Sequence, residues 1–177
     1  GVVGDGITND KTLTLKGSAA ANSTIKVYDG GTQIGTAKAD AKGAWSFDTS
    51  ALKDAKHTLT ATATNAAGQT SAASAGLTVT IDTHAPGVPT IAEGSGATQL
   101  LAARAAASSS SNDKAVHLTG QAEAKSTITI LDGGKKIGTT TAGTDGTWSF
   151  TADSLAGGHH AFTATATDVA GNVGKSS

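Results

Sequence analysis

The sequence predicts an all-β protein built as two tandem sandwich domains. Three observations predict it. The first is an internal repeat: residues 17–74 align without a gap on residues 120–177, at a constant offset of 103, with 27 of 58 positions identical. A period near 100 residues is too long for a helical solenoid unit and matches one β-sandwich. The second is strict alternation of apolar and polar residues, the mark of half-buried strands. The third is the punctuation, in which Gly-containing turns separate one short strand from the next.

The elements follow in order. In unit 1 the strands are expected near 12–16, 23–29, 33–39, 44–48, 57–65 and 75–81, after a first strand. Ile25 and Val27 alternate with Thr24, Lys26 and Tyr28; Leu59, Ala61 and Ala63 alternate with threonines; Leu77, Val79 and Ile81 alternate with Thr78 and Thr80. In unit 2, Ile128, Ile130, Phe162, Ala164 and Ala166 take the same places. Threonine suits the outer face because its branched carbon packs on a pleated surface. Asp29-Gly30-Gly31 and Asp132-Gly133-Gly134 are hairpin turns. Seven such strands make an immunoglobulin-like sandwich. Trp45 and Trp148, each with a Phe two residues on, are expected core anchors; stacking on a sugar is the alternative role.

The expected boundaries are repeat 1 at 1–82, a linker at 83–89 and repeat 2 at 90–177. Both prolines of the chain, Pro86 and Pro89, lie in the linker, so it is expected to be extended and stiff. The Ala- and Ser-rich stretch 94–111 is expected to be an insertion in repeat 2, partly mobile, with a short helix allowed over Leu100–Ala107. Repeat 1 is expected to lack its first strand. Repeat 2 is expected to lack its last, because repeat 1 runs on into Ala75–Ile81 past the counterpart of Ser177. These open frames suggest a slice of a longer array, or strands donated by neighbouring chains.

Composition excludes several classes. The net charge is −1, with 15% charged residues and no Lys/Arg cluster, so nucleic acid is not an expected partner. No apolar run is long enough for a membrane span. Cysteine is absent, which removes disulfides and thiol chemistry. No Gly-x-Ser-x-Gly elbow sits in an α/β pattern, and Asp29-Gly30-Gly31 joins two strands where a phosphate loop would join a strand to a helix. No enzymatic activity is expected. His57 and His160 occupy matching repeat positions. Zinc would need several converging N or S ligands, and recurrence before a strand points to a structural role. His84 in the linker is either a pH sensor or a solvated side chain.

Ala-x-Ser-Thr-Ile, Asp-Gly-Gly-x-x-Ile-Gly-Thr, Gly-x-Trp-Ser-Phe, Thr-Ala-Thr-Ala-Thr-Asp-x-Ala-Gly-Asn and Ile-Asp-Thr-x-Ala-Pro form a recognisable series. It resembles the bacterial Ig-like repeats of giant Bap-type biofilm adhesins, surface proteins often exported by type I secretion. The resemblance covers nearly the whole chain outside 94–111. It implies an extracellular or cell-surface setting and a stalk role, with neighbouring repeats, biofilm matrix or a host surface as partners.

The resemblance also implies calcium at domain junctions. Strand alternation would place Asp5, Asn9 and Asp10 at the end where the chain leaves unit 1, near Asp82. Asp168 and Asn172 would lie where the chain enters unit 2. Hard oxygen ligands from both sides could then share one cation. Ordinary turn chemistry competes, since Asp and Asn side chains bond nearby backbone amides. The matching loop of unit 1, Asn65-Ala66-Ala67-Gly68-Gln69, lacks the carboxylate.

The leading expectation is a structural spacer holding an adhesive tip away from a bacterial surface. The alternatives are a carbohydrate-binding or accessory module of a secreted enzyme, and a filament subunit with strand exchange.

Overall fold

The computed structural model describes residues 6–94, 107–109, 115–153 and 155–177. Every regular element among them is a strand. The chain divides into unit 1, Gly1–Thr83, and unit 2, His84–Ser177. Each is an immunoglobulin-like sandwich.

Unit 1 holds β1 (Ile7–Thr8), β2 (Thr14–Ser18), β3 (Thr24–Asp29), β4 (Thr32–Lys38), β5 (Ala44–Asp48), β6 (Ala55–Thr64) and β7 (Leu77–Ile81). One sheet runs β1-β7-β6-β3-β4, and β2-β5 forms the other. Alternation delivers the core: Ile25 and Val27 of β3 are 1% and 0% exposed and pack with Leu15, Trp45 and Phe47 from the opposite sheet. The expectation that unit 1 lacks its first strand needs correction. The short β1 pairs in parallel with β7, Ile7 against Thr80 and Thr8 against Ile81.

Unit 2 holds β8 (Ala92–Glu93), β9 (Ala107–Ser109), β10 (Val116–Gln121), β11 (Thr127–Asp132), β12 (Lys135–Thr141), β13 (Thr147–Ala152) and β14 (His160–Thr167). Its sheets are β12-β11-β14-β9 and β13-β10-β8. The edge expected to stand open for want of a last strand is taken by β9. It pairs with β14 at His160–Phe162, the counterpart of the register in which β7 meets β6 at His57–Leu59. So part of the 94–111 stretch is strand. The helix expected over Leu100–Ala107 lies outside the described residues except for Ala107, which begins β9.

The hairpin turns form as expected. Gly30 and Gly31 have φ of 54° and 89°, and Gly133 and Gly134 repeat the pair at 55° and 83°. Two successive positive φ values define the turn whose twist matches the flanking strands. Both hairpins carry a register shift one step before the turn, at Val27/Tyr28 and Ile130/Leu131.

The aromatic anchors have glycine seats. A Cβ on Gly17 would stand 2.6 Å from the Trp45 ring, and one on Gly120 would stand 2.6 Å from Trp148. Gly35 and Gly138 lie under Phe47 and Phe150 at 2.3 and 2.4 Å by the same measure. Gly35 is in β4 and Phe47 in β5, so each Phe closes the side of the sandwich across the two sheets.

Candidate functional site

The expected site residues fall into two groups, one in each unit. In unit 1, Asp82 follows β7 directly, and its N–H donates to the Thr8 carbonyl at 2.9 Å. The parallel pairing of β1 with β7 therefore brings Asn9, Asp10 and Asp82 to the same end. Asp10 is exposed. Its Oδ1 accepts from the Thr12 N–H and hydroxyl at 3.0 and 3.1 Å, bonds that hold its carboxyl below the usual carboxylate range. Asp5 lies outside the described residues.

Sequence reading missed Asp54, which sits at this end. Its Oδ2 accepts from the Thr83 N–H at 2.8 Å and the Thr83 hydroxyl at 2.6 Å. Lys11 lies 3.1 Å from the other oxygen. These donors, Thr83 first, push the Asp54 carboxyl well below its ordinary range. Asp54 and Asp82 bring carboxylate oxygens within 4.8 Å of one another. The repeat gave no warning, because the counterpart of Asp54 is Gly157.

In unit 2, Asp168 and Asn172 are direct partners. Asp168 is 8% exposed. Its Oδ1 accepts from the Asn172 N–H and its Oδ2 from the Asn172 side-chain amide, both at 2.8 Å. Unit 1 builds the same loop without charge: Asn65 Oδ1 accepts from the N–H groups of Ala67 and Gln69, each at 3.0 Å. Turn chemistry alone is thus enough to close this loop.

The matched histidines form a clamp. His57 Nδ1 lies 2.6 Å from Asp29 Oδ2, and Nε2 lies 2.9 Å from the Lys53 carbonyl. His160 repeats this with Asp132 at 2.6 Å and the Ala156 carbonyl at 2.8 Å. Both ring nitrogens face acceptors, so only the doubly protonated imidazolium can donate on both sides. The pKa of His57 is raised by the Lys53 carbonyl and then by Asp29. That of His160 is raised by Asp132 and then by the Ala156 carbonyl. Each clamp ties the β3–β4 or β11–β12 turn to the start of the strand beside it, and leaves no ring nitrogen for a metal. His84 is exposed.

The two tryptophans differ in exposure. Trp148 is 4% exposed and Trp45 is half-buried. No helix among the described residues is long and apolar enough to cross a membrane.

Comparison with known proteins agrees with this architecture. A family model described as bacterial Ig-like domain matches twice, over residues 1–83 and 99–177. No curated protein matches the chain. Among solved structures, the fibronectin(III)-like modules of Clostridium thermocellum CbhA align over 97% of this chain and 84% of theirs, with TM-score 0.51 and 15% identity. That likeness is one of fold. A biofilm-associated protein BSP domain aligns over 96% of this chain and 27% of its own, with TM-score 0.33 and 23% identity. The D0–D1 domain of intimin gives TM-score 0.32 at 14% identity, over 96% of this chain and 91% of its own. At such scores the last two say nothing about role.

Proposed function

The chain belongs to the bacterial Ig-like domain family, and from that premise we propose that its two repeats are spacer modules in the extended part of a cell-surface or secreted adhesion protein. One observation carries the reading: both halves build the same sandwich in series, with the same aromatic seats, hairpins and His–Asp clamps. Modules repeated this way add reach per copy, and each is stabilised mainly by its own core and its neighbours. Adhesion to a biofilm matrix or host surface would then belong to other parts of the assembly.

Two experiments test this. Stretching single chains should give two separate unfolding events, each releasing roughly 250–300 Å of chain for about 80 residues; one merged event would count against independent modules. Replacing both repeats in their parent protein by an unrelated sandwich pair of equal length should preserve adhesion. Loss of adhesion would mean the repeats themselves bind, and the spacer role would fall.

Calcium forms the second part of the proposal. The donors are hard oxygens, which suit this cation. Asn9, Asp10, Asp54 and Asp82 would supply them from unit 1, and Asp168 and Asn172 from unit 2. The bound ion would offset the repulsion of neighbouring carboxylates and add stability in proportion to the logarithm of its concentration over Kd. Melting with millimolar calcium and with chelator should differ, and Asp82→Asn should shrink the difference. Identical curves would remove calcium from the account.

A further inference from the structure

The outward face of the five-stranded sheet in unit 1 differs in charge from its copy in unit 2. In β3, Ile25 and Val27 point into the core, so alternation turns Thr24, Lys26 and Tyr28 outward. Strand register sets their neighbours. Thr24 lies between Lys38 and Thr64, Lys26 between Thr36 and Thr62, and Tyr28 between Gln33 and Thr60. Lys26 and Lys38 are therefore diagonal neighbours, about 7–8 Å apart at the backbone. Lys56 faces out from the same sheet beside Thr80, about 20 Å along β6 from Thr62. The three lysines are exposed and Tyr28 is half-buried.

No carboxylate shares this face. The other outward positions of β6 and β7 are threonines. The acids nearest in sequence are engaged elsewhere: Asp29 lies 2.6 Å from the inward His57, and Asp40 accepts from the Lys42 and Ala44 N–H groups at 2.7 and 2.9 Å. Among the described residues no ion pair involves Lys26, Lys38 or Lys56. The whole chain carries 13 basic and 14 acidic residues, so a face with lysines alone is a segregation of charge, and positive potential collects there. The repeat supplies the comparison. Thr24, Thr36, Thr60, Thr62 and Thr64 all recur as threonines in unit 2. Lys26, Lys38, Lys56 and Tyr28 do not: their counterparts are Thr129, Thr141, His159 and Leu131, and Gln33 is matched by Lys136. The same sheet forms in both units, so the lysines and the tyrosine are not needed to build it.

We propose that this face of unit 1 is a docking surface for a polysaccharide that carries carboxylates, a chain of uronic acid sugars. Charge complementarity selects an anion, and Lys26 and Lys38 each meet one carboxylate as a point charge. The rest of the face selects a sugar. The Tyr28 ring offers an apolar plane for the C–H side of a pyranose. Gln33 and Thr60 beside it offer hydrogen-bonding groups to sugar hydroxyls. A longer chain reaches Lys56. Nucleic acid fits less well, because its affinity comes from many neutralised phosphates and three lysines neutralise few. The contact is weak, since exposed ion pairs contribute little each. It adds a lateral attachment to a module whose main work is reach, and it stands whether or not the spacer reading does.

The test is an NMR titration of the full chain with oligogalacturonate, run beside neutral dextran, oligoglutamate and a DNA duplex. Saturable shifts are expected with oligogalacturonate at the Lys26, Tyr28 and Lys38 amides, with Thr129, Leu131 and Thr141 unmoved. Binding should weaken from about 0.1 M to about 1 M salt, as the screening length falls from about 10 Å to about 3 Å. Lys26→Thr together with Lys38→Thr, the residues unit 2 carries, should weaken it about tenfold. Tyr28→Leu should weaken it roughly fivefold. Two dispersed indole signals would show that these variants are folded. No saturable shift at millimolar oligogalacturonate would overturn the surface. So would affinity unchanged by the lysine pair or by Tyr28→Leu, or equal binding of dextran, oligoglutamate or DNA. Adhesion lost in the module-replacement experiment would leave this titration unchanged, so the two ideas fail separately.

Discussion

His57 and His160 carry the sharpest single-residue consequence. Each is held between a carboxylate and a backbone carbonyl, and each has its pKa raised in the folded state. The sign follows from linkage. A raised folded pKa contributes stability that is fully present below the unfolded value, near 6.5, and is lost as pH rises through the folded value. The melting temperature should therefore fall on going from pH 6 to pH 9. Asp29→Asn and Asp132→Asn together should flatten that fall, and a wild-type profile already flat would refute the clamp. Asp54 has the opposite sign. Its carboxyl is depressed by Thr83, so its contribution is present above the ordinary range near 3.8 and is lost only in strong acid.

Among the elements, the sandwich depends on where glycine lets an aromatic ring approach the neighbouring strand. Gly138 of β12 lies under Phe150 of β13, with 2.4 Å between a built Cβ and the ring. The backbone there needs no unusual φ, so the requirement is space alone. Gly138→Ala should overpack this contact and cost about 1–3 kcal/mol, read from chemical denaturation of unit 2. A loss under about 0.5 kcal/mol would mean that Phe150 moves aside freely. The Trp-Ser-Phe motif announced the rings as core anchors. It did not announce their seats, because Gly35 and Gly138 are read as turn or strand residues until the second sheet is laid over them.

The whole chain is two similar sandwiches with unequal cores. Trp148, Leu118, Ala164 and Ala166 are sealed in unit 2, whereas Trp45, Leu15, Ala61 and Ala63 are half-buried in unit 1. Unit 1 should unfold first, with Trp45 signals lost before those of Trp148 in a thermal series followed by NMR. A deficit of only about 1 kcal/mol lowers the midpoint of a domain this size by about 4–8 °C. Coincident loss of both indoles would show that the looser packing around Trp45 costs little.

By itself the amino-acid sequence determined the module and its copy number. Alternation along β3, β6, β11 and β14 settles which face is buried, and the Asp-Gly-Gly turns settle the hairpins, because both depend on residues adjacent in the chain. The equivalence of His57 with His160 was equally visible in the repeat. Only the tertiary structure decided what depends on residues far apart in sequence. It placed Asp54 against Thr83, Asp29 against His57, and Gly35 beneath Phe47. It seated β9 on the edge of β14, and it laid the segment around Thr90 along the edge of β10. Local pattern encodes strand and turn; which edge is covered, and by what, depends on strand pairing and packing across the fold.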